Sequence, residues 1–236
     1  MSSPAHGQDA GQHVGWVERP SLEYQHAFDC CAVALQPIAG SIAVLASHPF
    51  YGRELAARLD GRQARFFATP AWDLAPEEMR AWLGAEGTST QTDLESVAAS
   101  GVVAAVWAEP EREGGRKVLA RIEGVMAPAG RLYVVASGPL RRYLPEWQSR
   151  AWGAAQCPAG YRATLRWLRM AGWQVEARYG FHGPRSVLWG LAVRCAAAGG
   201  RRDWADRCLA AMRAHYVVQG WISILAAVAL LVARKA

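Results

Sequence analysis

The sequence predicts an α/β protein with a doubly wound, mostly parallel sheet, an antiparallel last strand and helices on both faces. Short apolar runs typical of buried strands alternate with helical patterns along most of the chain, which favours βα units with right-handed crossovers. The 236 residues, 52% of them apolar, suffice for one domain with a core on each side of its sheet. Near the carboxyl terminus two helical segments separate the last two strands, which can therefore pair antiparallel.

Prolines mark several boundaries in the first half of the chain. Pro37 disfavours helical conformation at Gln36 and so ends the first helix, whereas Pro76 opens a later helix at the position that proline prefers. In chain order, the sequence predicts a helix over 22–36, a strand over 40–47, a turn over 48–52, a helix over 53–59, a strand over 63–68, a helix over 76–82, a loop over 84–92 and a short connection at 93–97.

The second half continues the alternation and then departs from it. Pro128 and Gly130 predict a turn between a helix and a strand, and Gly172 predicts the end of the next helix. The predicted elements are a strand over 102–107, a helix over 116–126, a strand over 131–136, a helix over 161–171, a strand over 174–179, helices over 187–198 and 203–215, and a strand over 222–233.

The amino-terminal segment differs from the rest of the chain in composition. Residues 1–15 are rich in Ser, Gly, Gln and His and contain no apolar run, so we expect a disordered tail there and a single domain over residues 16–236. The same segment has no features of a secretory signal. We therefore expect a cytoplasmic protein.

The charge pattern does not favour nucleic-acid binding. The chain has 26 Lys and Arg against 20 Asp and Glu, and its only lysines are Lys117 and Lys235. The arginines are scattered along the sequence, whereas a nucleic-acid site requires a basic patch or stripe. We expect a small-molecule substrate or a protein partner instead.

The cysteines indicate neither a disulfide framework nor a metal centre. The chain has 5 of them, two of which, Cys30 and Cys31, are adjacent. An odd number without paired CxxC or CxxH spacing does not fit a structural zinc site, and it is typical of a reducing compartment. We predict no metal.

The apolar segment 216–233 permits two interpretations. It is just long enough for a minimal membrane anchor, and Arg234 and Lys235 follow it as basic flanking residues. Gly220 interrupts the run, however, and residues 222–233 have the composition of a fully buried strand. We favour the strand and keep the carboxyl-terminal anchor as the alternative.

Three stretches resemble the class I S-adenosylmethionine-dependent methyltransferases, whose Rossmann-like sheet is doubly wound with a reversed last strand. Residues 101–107 and 118–135 resemble the family's fourth strand, the helix after it and the fifth strand, with Met-Ala-Pro-Ala-Gly at the joint 126–130. Residues 164–175 resemble a later helix-to-strand passage of the family, and the terminal strand resembles its last strand.

The resemblance implies S-adenosylmethionine as the cofactor. In this family a glycine-rich loop after the first strand lets the backbone approach the ligand. Here that loop is degenerate, since Gly52 is its only glycine and Pro49, Phe50 and Tyr51 precede it. The cofactor-binding positions that the resemblance implies are Ala46, Ser47, His48, Gly52, Thr69, Asp93, Leu94 and Trp107.

Two further residues are candidates for chemistry on the substrate. Glu109 stands just after a predicted strand, where the resemblance implies a group that meets the methyl acceptor and where a carboxylate can accept a proton. His182 lies between Gly180, Gly183 and Pro184, as expected of a rigidly held loop residue, although a simple turn into the next helix requires the same residues.

Two functions follow from the resemblance. The first is a methyltransferase that acts on an acceptor which the sequence does not identify. The second is a catalytically inactive protein of the same fold that serves as a structural or regulatory subunit and docks through its Trp-rich carboxyl-terminal half.

Overall fold

The computed structural model describes most of the predicted domain. The predicted tail 1–15, helix 76–82 and connection 93–97 lie outside the described residues. The described residues are 22–46, 49–59, 64–68, 89–91, 101–140, 159–214, 217–218 and 225–235.

The helices begin and end close to the predicted positions. Gly183 precedes α5 with Pro184 in its first turn, where a missing N–H removes no helical hydrogen bond. The helices in the described residues are α1 (Leu22–Leu35), α2 (Pro49–Arg58), α3 (Gly115–Val125), α4 (Gly160–Met170), α5 (Pro184–Ala198) and α6 (Arg202–Ala214).

The described strands form one mixed sheet in the order β3-β2-β1-β4-β5-β8-β6-β7. Strands β1 to β5 are mutually parallel, whereas β8 is antiparallel to both of its neighbours, β5 and β6. The strands are β1 (Ser41–Ala46), β2 (Ala64–Ala68), β3 (Ser89–Gln91), β4 (Val102–Ala108), β5 (Met126–Ser137), β6 (Trp173–Phe181), β7 (Val217–Val218) and β8 (Val228–Lys235). The predicted fold class and the antiparallel pairing of the last two long strands are confirmed.

A hydrophobic core lies on each face of the sheet. Alternate residues of β4 face opposite sides, so that Val106 packs with α1 and α2, whereas Trp107 packs with α3 and α4. On the α1 side Arg58 also joins the two helices, since its guanidinium donates to Asp29 at 2.6 Å. The sheet is therefore covered on both sides, as its apolar strands require.

The position of α2 corrects the prediction for residues 48–52. The helix begins at Pro49 instead of residue 53, which places Gly52 inside its first turns. Proline favours the first helical position because its fixed φ is already helical and its missing N–H would have no helical acceptor there. The turn between β1 and α2 is consequently shorter than the sequence suggests.

Two other predictions need correction. Residues 89–91, predicted as part of a loop, form the short strand β3 and pair with β2. The predicted turn 128–130 is absorbed into β5, whose register against β4 shifts between Val102 and Ala104. Pairing with a neighbouring strand supplies hydrogen bonds that local composition does not show.

The carboxyl-terminal segment forms a strand, as favoured from the sequence. Strand β8 starts at Val228 instead of residue 222, and its first six residues are buried between β5 and β6. Within the described residues no helix has the length and apolarity needed to cross a membrane.

Gly138 provides a test of the close packing where β8 enters the sheet. Its N–H donates to the Ala227 carbonyl at 2.7 Å, and a Cβ at this position would overlap the Ala226 carbonyl oxygen. We expect Gly138→Ala to lower the free energy of unfolding by about 2–4 kcal/mol, because backbone rather than a flexible side chain must move.

Gly124→Ala is the matched control in a denaturant titration. Gly124 lies in α3, and a Cβ there would meet no atom within 4 Å, so alanine should leave stability unchanged or raise it by up to about 1 kcal/mol. Equal effects of the two substitutions would contradict the assigned packing.

Candidate functional site

Four strands end along one edge of the sheet. Strands β1, β4 and β5 are parallel, and β6 runs in the same direction because β8 is antiparallel to both β5 and β6. We call the edge at which they end the carboxyl edge; its last strand residues are Ala46, Ala108, Ser137 and Phe181. Doubly wound proteins bind their ligands at this edge.

Glu109 follows β4 at the carboxyl edge and is 1% exposed. Its backbone N–H donates to the Val135 carbonyl at 2.7 Å. Its carboxylate accepts hydrogen bonds from the Ser137 hydroxyl, at 2.9 and 3.0 Å, and from the phenolic hydroxyl of Tyr24. Tyr24 and Ser137 also contact each other, with their hydroxyl oxygens 2.9 Å apart.

His182 follows β6 at the same edge and is also 1% exposed. Its Nε2 lies 3.0 Å from Nδ1 of His26, and the two ring planes are nearly parallel, at 16°. Burial and, secondarily, the neighbouring His26 lower the pKa of His182 from 6.5 to about 3. One nitrogen of this contact must therefore donate and the other accept, with His182 uncharged at neutral pH.

Glu109 and His182 share an unusual backbone conformation. They are the only non-glycine residues with positive φ in the described part of the chain, at 54° and 56°. Each such residue costs about 1–3 kcal/mol and persists only where its surroundings hold it, often at a functional site. The structure thus brings the two predicted residues to one edge in one conformation.

Helix α1 contributes a contact to each of these residues. Tyr24 contacts Glu109 and His26 contacts His182, so two side chains near the start of α1 reach both positions. The sequence analysis did not identify Tyr24, His26 or Ser137. Their roles depend on where α1 lies across the sheet, and the apolar spacing of the helix gives no signal of it.

The predicted cofactor-binding residues are only partly described. Ala46 ends β1 beside Ala108, whereas Gly52 lies within α2. The Trp107 side chain is fully buried in the α3–α4 core, on the opposite face of β4 from Val106 and Ala108. Ser47, His48, Thr69, Asp93 and Leu94 lie outside the described residues.

Tyr51 does not lie in the loop where the sequence placed it. It belongs to α2, is 1% exposed, and packs with its ring centroid 4.9 Å from Tyr24 and 5.7 Å from Phe28. Its bulk therefore fills the α1–α2 core. Within the described residues no group of three His, Cys, Asp or Glu side chains could hold a metal ion.

Comparisons with known proteins identify the fold. Neither a protein-family model nor a curated protein sequence matches the chain. Among solved structures, an S-adenosylmethionine-dependent methyltransferase of Thermotoga maritima is 11% identical and has a TM-score of 0.61 over 96% of each chain.

Two more structures agree with the first. A chain from the complex of the Haloferax volcanii Trm112 methyltransferase activator with a candidate methyltransferase is 16% identical, with a TM-score of 0.58 over 99% of each chain. A geranyl diphosphate methyltransferase in complex with S-adenosylmethionine is 12% identical, with a TM-score of 0.53 over 100% of this chain and 93% of that one. The protein therefore has the fold of the S-adenosylmethionine-dependent methyltransferases.

Removing the Tyr24 hydroxyl tests the contact between α1 and Glu109. We expect Tyr24→Phe to lower the free energy of unfolding by about 1–3 kcal/mol, because a buried carboxylate loses a donor. Tyr161→Phe is the control, since the buried Tyr161 hydroxyl has no hydrogen-bond partner among the described residues and its removal should cost nothing. Similar losses in both variants, measured by urea titration, would show that the Tyr24 hydroxyl makes no special contribution.

The depressed pKa of His182 predicts a loss of stability in acid. Below pH 6.5 the unfolded chain binds a proton at His182, whereas the folded chain does so only near its pKa of about 3. Between pH 7 and pH 5 the wild type should lose about 2 kcal/mol relative to His182→Asn. Asparagine is suited to the positive φ of this position. Parallel stability curves for the two proteins across this range would refute the assignment.

Proposed function

We propose that this chain is an S-adenosylmethionine-dependent methyltransferase that acts on an acceptor not yet identified. The observation that carries the proposal is the placement of Glu109 and His182, two buried residues with strained backbones at the carboxyl edge of this fold. Strain of this kind is more typical of a functional site than of a packing position. The full-length similarity to methyltransferase structures supports the same conclusion.

The described part of the cofactor region suits the bound cofactor. Ala46 pairs with Ala68 on β2 and Ala108 on β4, so three adjacent strands end in the smallest side chain that keeps a Cβ. Helix α2 begins three residues after β1 and presents its amino end there, where N–H groups favour a carboxylate. The cofactor contacts that we propose are Ala46, Ser47, His48, Thr69, Asp93 and Leu94.

The chemistry demanded of the protein side chains is modest. Bound S-adenosylmethionine supplies an electrophilic methyl group on a positively charged sulfur, and its transfer depends chiefly on alignment with the nucleophile. We assign to Glu109 the acceptance of a proton from the acceptor's hydroxyl or amine. We assign to His182, which its low pKa keeps uncharged, the orientation of that group through a hydrogen bond.

A specific observation favours a second candidate, the inactive protein of the same fold. The two residues between β1 and α2 are Ser47 and His48, and Gly52 lies inside the helix, so no glycine occupies that turn. A side chain there restricts how closely a ligand can approach the backbone. Such a protein would act through partners, and one structural neighbour comes from a complex with a methyltransferase activator.

We also propose that residues 16–236 form one domain of a cytoplasmic protein. The described cysteines Cys30, Cys31, Cys195 and Cys208 are all free thiols, which suits a reducing compartment. Burial raises the pKa of the Cys31 thiol well above its usual range, so that it packs as an apolar side chain.

Titration with S-adenosylmethionine and S-adenosylhomocysteine separates the two candidates. For a methyltransferase we expect binding heat and a rise in thermal midpoint with either compound, because a ligand that binds only the folded state stabilises it. Asp93→Asn should weaken binding about tenfold or more by removing a charged hydrogen-bond acceptor. Asp203→Asn, on the exposed start of α6, should bind as the wild type does. Absence of heat and of stabilisation at millimolar ligand would favour the inactive protein.

A further inference from the structure

The phenolic hydroxyl of Tyr24 occupies a polar position that a ligand could use. Its oxygen contacts the Glu109 carboxylate and lies 2.9 Å from the Ser137 hydroxyl, and all three groups meet at the carboxyl edge. The Tyr24 ring is fully buried and packs against Tyr51 and Phe28, with centroids 4.9 and 6.1 Å away. An aryl hydroxyl is thus recognised there by a carboxylate, a hydroxyl and two aromatic rings.

We propose that Glu109 and Ser137 form a binding site for the aryl hydroxyl of a small-molecule ligand, and that Tyr24 occupies this site in the ligand-free chain. The inference deepens the proposed function and rests on it for one point only, namely that the ligand is the methyl acceptor. The chemical class is that of phenols. An incoming phenol would donate its proton to the same carboxylate oxygen that Tyr24 now contacts.

The polar groups of the site explain why the hydroxyl is required. Glu109 is 1% exposed, so a ligand without a donor would leave its carboxylate buried with one hydrogen bond fewer. Sites that pair a buried polar group with a ligand hydroxyl reject analogues lacking that hydroxyl much more strongly than an apolar pocket rejects a change in shape. The aromatic walls, in turn, favour a planar ring over an alkyl alcohol.

The location of Tyr24 explains how it could leave the site. It is the third residue of α1, in the helical turn where hydrogen bonds between backbone groups are incomplete. The later part of the helix is anchored in the core by Phe28, Cys31 and Leu35, which are fully buried. Release of Tyr24, together with the neighbouring His26–His182 contact, requires only the first turns of α1 to move, and helix ends open at low free energy.

Replacing the tyrosine by a soluble phenol tests the site. The Tyr24→Ala variant is expected to bind p-cresol, which is the missing side chain, and to gain about 3–5 °C in thermal midpoint at tenfold excess over its Kd. Toluene has the same shape without the hydroxyl and should give at most a third of that shift. Adding Glu109→Gln to Tyr24→Ala should remove the difference between the two compounds.

Two comparisons locate the effect. Tyr161→Ala opens a cavity at another buried tyrosine, whose hydroxyl has no partner among the described residues, so p-cresol and toluene should act on it equally. In the wild type the ligand must displace Tyr24, and p-cresol should shift the midpoint much less than in Tyr24→Ala. If Tyr24→Ala requires help to fold, its refolding yield with each compound gives the same comparison.

The outcomes separate this inference from the proposed function. Equal responses of Tyr24→Ala to p-cresol and toluene, no response to p-cresol, or an equal p-cresol shift in the wild type would each overturn the aryl hydroxyl site. The same samples are titrated with S-adenosylhomocysteine. Selective p-cresol binding without cofactor binding would support the site and reject the methyltransferase, whereas cofactor binding without p-cresol selectivity would do the reverse.

Discussion

The insertion of β8 between β5 and β6 is the constraint on which the site depends. Because β8 is antiparallel to both neighbours, β6 ends at the same edge as β5. The Ala227 N–H, just before β8, donates to the His182 carbonyl at 2.9 Å, and Gly138 after β5 donates to Ala227. Without this insertion Glu109 and His182 would have no reason to share one edge of the sheet.

Helix α1 then determines the state of that edge. Its side chains hold Glu109 and His182, whose positive φ values store conformational free energy that contacts elsewhere must offset. The same contacts also close the site, because the Tyr24 phenol lies where a ligand would meet the carboxylate. A methyltransferase must release Tyr24 to admit an acceptor, whereas an inactive subunit can keep it as a permanent structural contact. The two functions therefore differ in the stability of one helical turn.

Much of this architecture could be predicted from residue patterns. Apolar runs and prolines placed α1, β1, β2, β4, α3, α4 and β6 within a few residues of their observed bounds, because their signals are local. Glu109 and His182 were identifiable for the same reason, since each directly follows a strand at the end where α/β sheets bind ligands. The start of α2 and the short strand β3 were not, because a helical proline and a three-residue pairing leave weak local signals.

The sequence by itself determined the fold class, the sheet's mixed direction and two of the residues at its carboxyl edge. Only the tertiary structure decided that Tyr24, His26 and Ser137 complete the cluster, that Tyr51 packs in the core, and that Trp107 faces the opposite side of the sheet. The physical reason is the range of the interactions. Hydrophobic periodicity is set by neighbouring residues, whereas the Tyr24 to Glu109 contact joins positions 85 residues apart and exists only once α1 crosses the assembled sheet.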